Sequence, residues 1–504
     1  MQRKGLFLLT AILGLAYIFI TFYFQVNYPV NNDDLVIEVK DFSSYLEADI
    51  SFTDYILGRK NHPSIFHRLI VVASYGLFGE INFSAIRIIS NVLIAFFIFF
   101  LTWFYRANPV AYAIPILLFT PSMAMIYWGS AVTVYPFSMI MLFLIAITLP
   151  KARKVWALIA VVLMLPFLTF SFGNGFIGLV FLVPFLIWLG WSRTLAWWHV
   201  AIVLVSIFGC IMWNESLSTS QFPSNISWTW EKISFPFAFF GSLASYVPVD
   251  SIWPSIVLCL FLFGMITVVK IRTVFTSEKD EITNMFIYVL MIAMVFASGF
   301  AAGMIRCQTA LFCTPFASRY EIMGAFGLVF SLLLLSNHRK VLWPLFIILT
   351  LLTATKYYKN ISYLSDHIAL YKEMSMKAYF MDIFKTRGMT PGIIKENNAI
   401  LKKGVEEGLI DLNPPGHHDV HFNYEVPCKQ LRRAELKNTR HATKSDYSFS
   451  IGRFQETDYD DVYIRIDNQC YLCTPHFNQE DNKDPRYYLI TPSIDKSDYA
   501  LFVK

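Results

Sequence analysis

Between Leu6 and about residue 355 the chain returns eleven times to an apolar run. The runs are near 6–25, 82–104, 109–122, 130–149, 155–170, 175–191, 196–213, 252–269, 284–302, 320–336 and 341–355. A perpendicular helix needs about 20 apolar residues to cross a bilayer core. Runs 109–122 and 341–355 fall short of that and are expected to be tilted or broken. Basic residues separate the runs at Arg3-Lys4, Arg106, Lys151-Arg153-Lys154, Arg193, Lys270-Arg272 and Arg339-Lys340. If the eleven runs alternate in direction, all six clusters fall on one side. Lys and Arg accumulate in cytoplasmic loops, so this places the N-terminus in the cytoplasm and the C-terminal tail outside.

Composition agrees with a lipid environment. Of 504 residues, 56% are hydrophobic and 15% charged, with a mean hydropathy of +0.49. Soluble domains carry about 25% charged residues. The net charge of +5 is accounted for by the cytoplasmic loops and does not form a nucleic-acid-binding surface. The basic start Met-Gln-Arg-Lys-Gly precedes the first run, and no small-residue cleavage site follows it, so that run reads as a retained anchor. Seven cysteines are few for this length. Cys470 and Cys473 form a lone C-x-x-C, which is weak evidence for zinc.

The outer side collects the unusual segments. The first outer loop, 27–66, carries Asp33, Asp34, Glu38, Asp41, Glu47, Asp49 and Asp54. At that length it is expected to contain short interfacial helices. His62-Pro63 and His67-Arg68 then lead into Leu69–Phe78, which is too short to span. A second loop holds Gly173-Asn174-Gly175. A third, about 214–250, holds Trp228 and Trp230. A fourth holds Arg306, Cys307, Cys313 and Ser318-Arg319-Tyr320-Glu321.

Past Tyr358 the composition turns polar. The resulting division is a membrane domain over 1–358, a helical connector over 359–415, and a small β-rich domain over 416–504 with alternating stretches at Tyr447–Ile451, Asp461–Ile466 and Tyr487–Ile490. The fold class is therefore a polytopic α-helical membrane protein with a C-terminal extracytoplasmic α+β part.

Acids and bases on one outer face suit group transfer from a lipid-linked donor. Such a reaction needs a carboxylate to take a proton from an incoming hydroxyl, and cations to stabilise the departing phosphate. Asp34 and Asp33 are candidates for the first role. Arg68, Arg306, Arg319, His62 and His67 are candidates for the second. Each has a plainer alternative: the acids as solvated loop residues, Arg68 snorkelling to headgroups, His62 capping a turn. Arg319 stands on the outer side against the positive-inside trend, and Glu321 is its expected partner, because charges in membranes pair. Asn174, between two glycines, either cradles a sugar or phosphate or forms a plain turn. Tyr320, Glu321, Trp228 and Trp230 complete the candidate substrate-binding set. His417, His418, Asp419 and His421 have metal-ligating chemistry without metal-ligating spacing. The sequons at Asn225 and Asn360 are weak signals.

The stretch GRKNHPSIFHRLIVVASYGLFGEINFSAIRIISN, following an acidic outer loop, resembles the opening of the GT-C superfamily of polyprenyl-phosphate-sugar-dependent glycosyltransferases. The residues that carry the resemblance are Asp33-Asp34, His62-Pro63, Leu77-Phe78-Gly79 and Arg87, with the later SFGNGFIG and FASRYEIMGAF. It covers residues 1–340 in architecture and short patches in sequence. The size and the outer C-terminal domain are also similar to serotype-converting O-antigen glucosyltransferases of the bacterial inner membrane. The resemblance implies inverting transfer of a sugar such as glucose from undecaprenyl phosphate to a surface glycan in lipopolysaccharide. An outer-loop Asp would be the base, and Arg68, Arg306 or Arg319 would hold the lipid phosphate. It further implies a partner that makes the donor and a small flippase that turns it outward. Some members use a divalent cation (Mg or Mn) and others do not; Asp33, Asp34 and His62 are the residues that would hold one.

Two other classes fit a chain of this kind. A lipid-linked-sugar transporter or flippase places ionisable groups mid-span and shows repeated halves, whereas these runs are nearly uncharged and unrepeated. An O-antigen polymerase or ligase gathers its arginines in one large central loop and lacks an acidic first loop.

Overall fold

The computed structural model describes residues 2–25, 27–29, 34–57, 64–122, 126, 129–171, 173–217, 228–246, 252–270, 279–307, 320–381 and 391–410, and strand residues between 425 and 503. It divides into two compact units. One is Met1–Gln25 with Lys40–Leu364, and the other is Val26–Val39 with Ser365–Lys504.

The first unit is helical. Its long helices are α1 (Gln2–Tyr23), α5 (Phe83–Phe104), α7 (Gly129–Thr148), α8 (Val155–Thr169), α9 (Gly173–Trp191), α10 (Trp197–Leu217), α12 (Trp253–Lys270), α13 (Lys279–Arg306), α14 (Glu321–Leu334) and α15 (Arg339–Met381). Shorter ones are α2 (Asp41–Leu46), α3 (Phe52–Leu57), α4 (Ile65–Phe78), α6 (Ala113–Leu118) and α11 (Trp230–Phe240). Each of the eleven apolar runs carries a helix. Six helices among the described residues are long and apolar enough to cross a membrane: Lys4–Tyr23, Phe83–Phe104, Trp197–Asn214, Trp253–Lys270, Glu281–Ile305 and Lys340–Ser365. This is the architecture of a helical membrane protein.

The distribution of side chains follows from a lipid surround. On α1, Leu8, Ile12, Leu15, Phe19 and Phe22 are exposed, whereas Leu6, Thr10, Gly14, Tyr17 and Thr21 are buried. Successive members of each set are three or four residues apart, so each forms one stripe. The exposed stripe is wholly apolar and the polar atoms face inward, because lipid offers them no hydrogen-bonding partner. Thr10 donates to the Leu6 carbonyl at 2.8 Å, and Tyr17 donates to the Asn91 side chain on α5. Exposed tryptophans stand at helix ends. Trp103, Trp156, Trp191, Trp197 and Trp343 lie near the basic clusters in sequence, and Trp213, Trp230 and Trp253 lie at the opposite ends of the runs. Amphipathic indoles favour the two membrane–water interfaces.

The core is dominated by aromatic and branched aliphatic packing between α5, α7, α13 and α14. Phe143 on α7 meets Phe97 at 6.1 Å and Phe330 at 5.7 Å between ring centroids. Every residue of α14 is buried, as expected of a short helix surrounded by others.

Among the described residues the second unit holds the end of α15 from Ser365, helix α16 (Pro391–Glu406) and eight strands. One sheet runs β1 (Glu425–Val426), β6 (Gln469–Cys473), β5 (Val462–Ile466), β8 (Ala500–Val503), β2 (Arg432–Ala434). The other runs β3 (Leu436–Lys444), β4 (Tyr447–Phe454), β7 (Arg486–Pro492). All pairings are antiparallel, with Phe449 opposite Ala442 and Ile490. The three alternating stretches of the sequence lie in β4, β5 and β7. The composition change at Tyr358 does not interrupt the chain: α15 continues to Met381, and the units part after Leu364. The second unit also takes Val26–Val39 from the first outer loop.

Candidate functional site

The N-terminal turn of α4 is fixed from two sides. The Ile65 amide donates to the Phe170 carbonyl at 3.1 Å, just past the end of α8. Phe66 stacks on Phe137 of α7 at 4.3 Å and approaches Phe167 of α8 at 5.4 Å. His67 and Arg68, one and two residues on, are thereby driven inward and are 0% and 1% exposed.

The end of Arg68 lies over one ring of an aromatic cluster. Its guanidinium carbon lies 4.9 Å from the Tyr55 ring centroid on α3. Phe42 on α2 meets Tyr55 at 5.6 Å and Tyr75 of α4 at 5.0 Å, and Tyr45 stacks on Tyr55 at 5.5 Å. Beside Tyr55, Arg68 Nη2 donates to Asp41 Oδ2 at 2.6 Å. Asp41 is 19% exposed, so the pair reaches from the interior to the surface. Arg68 Nε–H is buried without a hydrogen-bond partner among the described residues. A guanidinium carries five N–H donors in a planar fork, and a buried donor left over is uncommon.

A second buried pair sits where α14 meets α15. Lys356 Nζ stands 3.0 Å from Glu321 Oε2, and the two side chains are 5% and 7% exposed. Glu321 therefore pairs with Lys356; its expected partner, Arg319, lies outside the described residues. One turn on, Asn360 donates to the Pro121 carbonyl and is 7% exposed, so this sequon is closed within the helix packing. Tyr320 is 2% exposed, with its ring 5.6 Å from Tyr135 and 5.1 Å from Phe239. It is a core aromatic.

No family model, curated protein or solved structure matches the chain. The likeness to the GT-C superfamily rests on the motif patches and the order of the runs.

The remaining candidates are dispersed. Trp228 and Trp230 are 65% and 55% exposed, against Phe300 at 6.0 Å and Trp253 at 5.9 Å. Next to them Glu231 is held below the usual carboxylate range by its own amide and by the Thr229 hydroxyl, as suits an acid at a helix N-terminus. Asn174 is the second residue of α9, so Gly173-Asn174-Gly175 opens a helix. Arg306 ends α13 and Asp34 begins a wide π-type turn, Asp34–Lys40. Asp33, His62 and His417, His418, Asp419 and His421 lie outside the described residues. Among the described residues no group of three His, Cys, Asp or Glu side chains is arranged to hold a metal ion. Sequence reasoning missed Asp41, Tyr55 and Lys356. The one signal for Lys356 was its place at the edge of an apolar run.

Proposed function

We propose that this chain is an integral-membrane inverting glycosyltransferase. It moves a sugar such as glucose from an undecaprenyl-phosphate donor to a surface glycan such as O-antigen, on the outer face of the bacterial inner membrane. It crosses that membrane eleven times, with the N-terminus in the cytoplasm and the C-terminal unit in the periplasm. The observation that carries the reading is Arg68, a buried cation lying over the Tyr55 ring, paired with Asp41 and with one buried donor unpartnered among the described residues.

The chemistry assigns each group a role. Asp34, or Asp33 beside it, takes the proton of the acceptor hydroxyl as its oxygen attacks the anomeric carbon. The sugar–phosphate bond breaks and its electron pair leaves with the lipid phosphate. Arg68 stabilises the charge that gathers there, where low dielectric strengthens the interaction. Arg306, Arg319, His62 and His67 are the further cationic candidates. Trp228 and Trp230 offer faces for sugar stacking, and Asn174 a polar contact at a helix start. Asp33, Asp34 and His62 are the residues that would hold a divalent cation (Mg or Mn) where the reaction uses one.

Sidedness has its own support. The basic clusters lie on one side of the alternating runs. Cys307, on the opposite side, is disulfide-bonded, and disulfides persist in oxidising compartments.

The test is sugar transfer from a labelled polyprenyl-phosphate sugar in liposomes, with Asp33→Ala and Asp34→Ala made separately. One of the two is expected to lose at least about a hundredfold in kcat, and Arg68→Ala to raise the donor KM. Full activity in both acid variants overturns the mechanism.

A second reading is favoured by Lys356 and Glu321. A buried ion pair in a span marks a transport path in many carriers, so a flippase for the same lipid-linked sugar is the alternative. Flipping of a fluorescent donor without transfer selects it.

A further inference from the structure

We propose that α16 of the C-terminal unit is a clamp that positions the acid-bearing turn of the first outer loop, and that Gly404 is the positioning residue that lets it close. This rests on the reading of Asp33-Asp34 as the base.

The turn Asp34–Lys40 has π-type winding, which is rare and in need of outside support. Leu35 and Val39 within it are 0% and 1% exposed. Helix α16 presents one buried face, with Asn397, Ile400, Leu401 and Gly404 at spacings of three, one and three. Its other face is solvated, with Lys402–Glu406 and Lys403–Glu407 ion pairs at 3.7 and 3.3 Å.

The two elements meet at Gly404. A Cβ placed there would stand 2.8 Å from Val39 Cγ1 and 2.8 Å from Ile410 Cδ1. Ile410 is brought back by a reversal at Gly408, where φ is +68°, with the Leu409 and Ile410 amides both donating to the Gly404 carbonyl. Val39 is thus seated against a bare backbone and a returning side chain. Any side chain at 404 pushes Val39 away, and with it a turn whose first residue is Asp34. Misplacing a reacting group by 1 Å costs about a hundredfold in rate.

Two measurements test the clamp. In the full chain, Val39→Cys with Gly404→Cys is oxidised in membranes and the tryptic peptides are analysed by mass spectrometry. A 39–404 disulfide is expected, and its absence overturns the clamp whatever the activity. In the transfer assay, Gly404→Val is expected to lower kcat about ten- to a hundredfold with the donor KM within about twofold, and Val39→Ala in that background to restore most of it. An unchanged kcat, or a loss that Val39→Ala does not relieve, overturns the positioning role. If the wild-type chain transfers no sugar, the enzymatic reading falls and takes that role with it, while the cross-link still decides the clamp.

Discussion

Arg68 Nη2 stands 2.6 Å from Asp41 Oδ2 and joins a side chain 1% exposed to one 19% exposed. The two ends of the pair therefore differ in what they lose. Asp41→Asn removes the ionised partner described for a buried guanidinium, at a cost of about 2 kcal/mol. Arg68→Met leaves a carboxylate that water still reaches, and costs less. A double-mutant cycle by thermal unfolding in detergent is expected to give a coupling energy of about 1–3 kcal/mol. Strict additivity would remove the pair as a structural element.

Lys356 and Glu321 are buried at both ends, so either single loss strands a charge. Lys356→Met alone is expected to destabilise by about 3–5 kcal/mol, while Lys356→Met with Glu321→Leu returns close to the wild type, because an apolar pair of similar volume needs no desolvation. The double variant should also keep sugar transfer, because the buried pairing with Lys356 gives Glu321, a substrate-binding candidate by sequence, a packing role instead. A folded double variant with no transfer would favour the carrier reading.

The apolar runs are legible because apolar residues dominate both their buried and their exposed positions, and hydropathy reads that directly. Their ends are less so. The last run closes at residue 355 by composition, yet α15 continues to Met381, which left Lys356 just outside the expected span and its pairing with Glu321 unseen. Asp41 was one of seven acids in a single loop, and nothing local distinguishes the one that meets Arg68. The assignment of Val26–Val39 to the C-terminal unit depends on Gly404 and Ile410, over 360 residues downstream, where no sequence periodicity reaches. Arg68 itself is legible from its position after His67 at a helix start, whereas its contact with the Tyr55 ring is not.

Gly175 lies where α9 leaves α8, and a Cβ there would fall 1.7 Å from the Leu168 carbonyl oxygen. That neighbour is backbone and cannot rotate aside. Gly175→Ala is therefore expected to separate the two helix ends at a cost of about 3 kcal/mol, read as a lowered unfolding temperature. Gly209, with no atom within 4 Å of its added Cβ, is the control, and Gly209→Ala should be neutral or stabilising.

A reporter that is active only outside the cytoplasm, fused after Lys504, is expected to be active, and the same reporter fused after Arg193 to be silent. The positive-inside argument sets this outcome. A cytoplasmic reading after Lys504 would move the acid loop to the wrong face for a lipid donor presented outside.

His338 lies between α14 and α15, close to Lys270 and Glu281. Burial first, and the Lys270 charge second, hold its imidazole below the ordinary value of about 6.5, with Glu281 opposing. Its Nε2 is buried without a hydrogen-bond partner among the described residues, so the folded chain favours the neutral ring more than the unfolded chain does. The unfolded chain therefore binds a proton more readily. The contribution to stability is complete above about pH 6.5 and is lost as the pH falls through the depressed folded value. Unfolding temperatures measured from pH 8 to pH 5 should fall on the acid side, and His338→Gln should flatten that fall. The neighbouring Asn337–Glu281 hydrogen bond, at 3.2 Å, survives the substitution, so an unchanged slope in the variant would assign the acid sensitivity to another group.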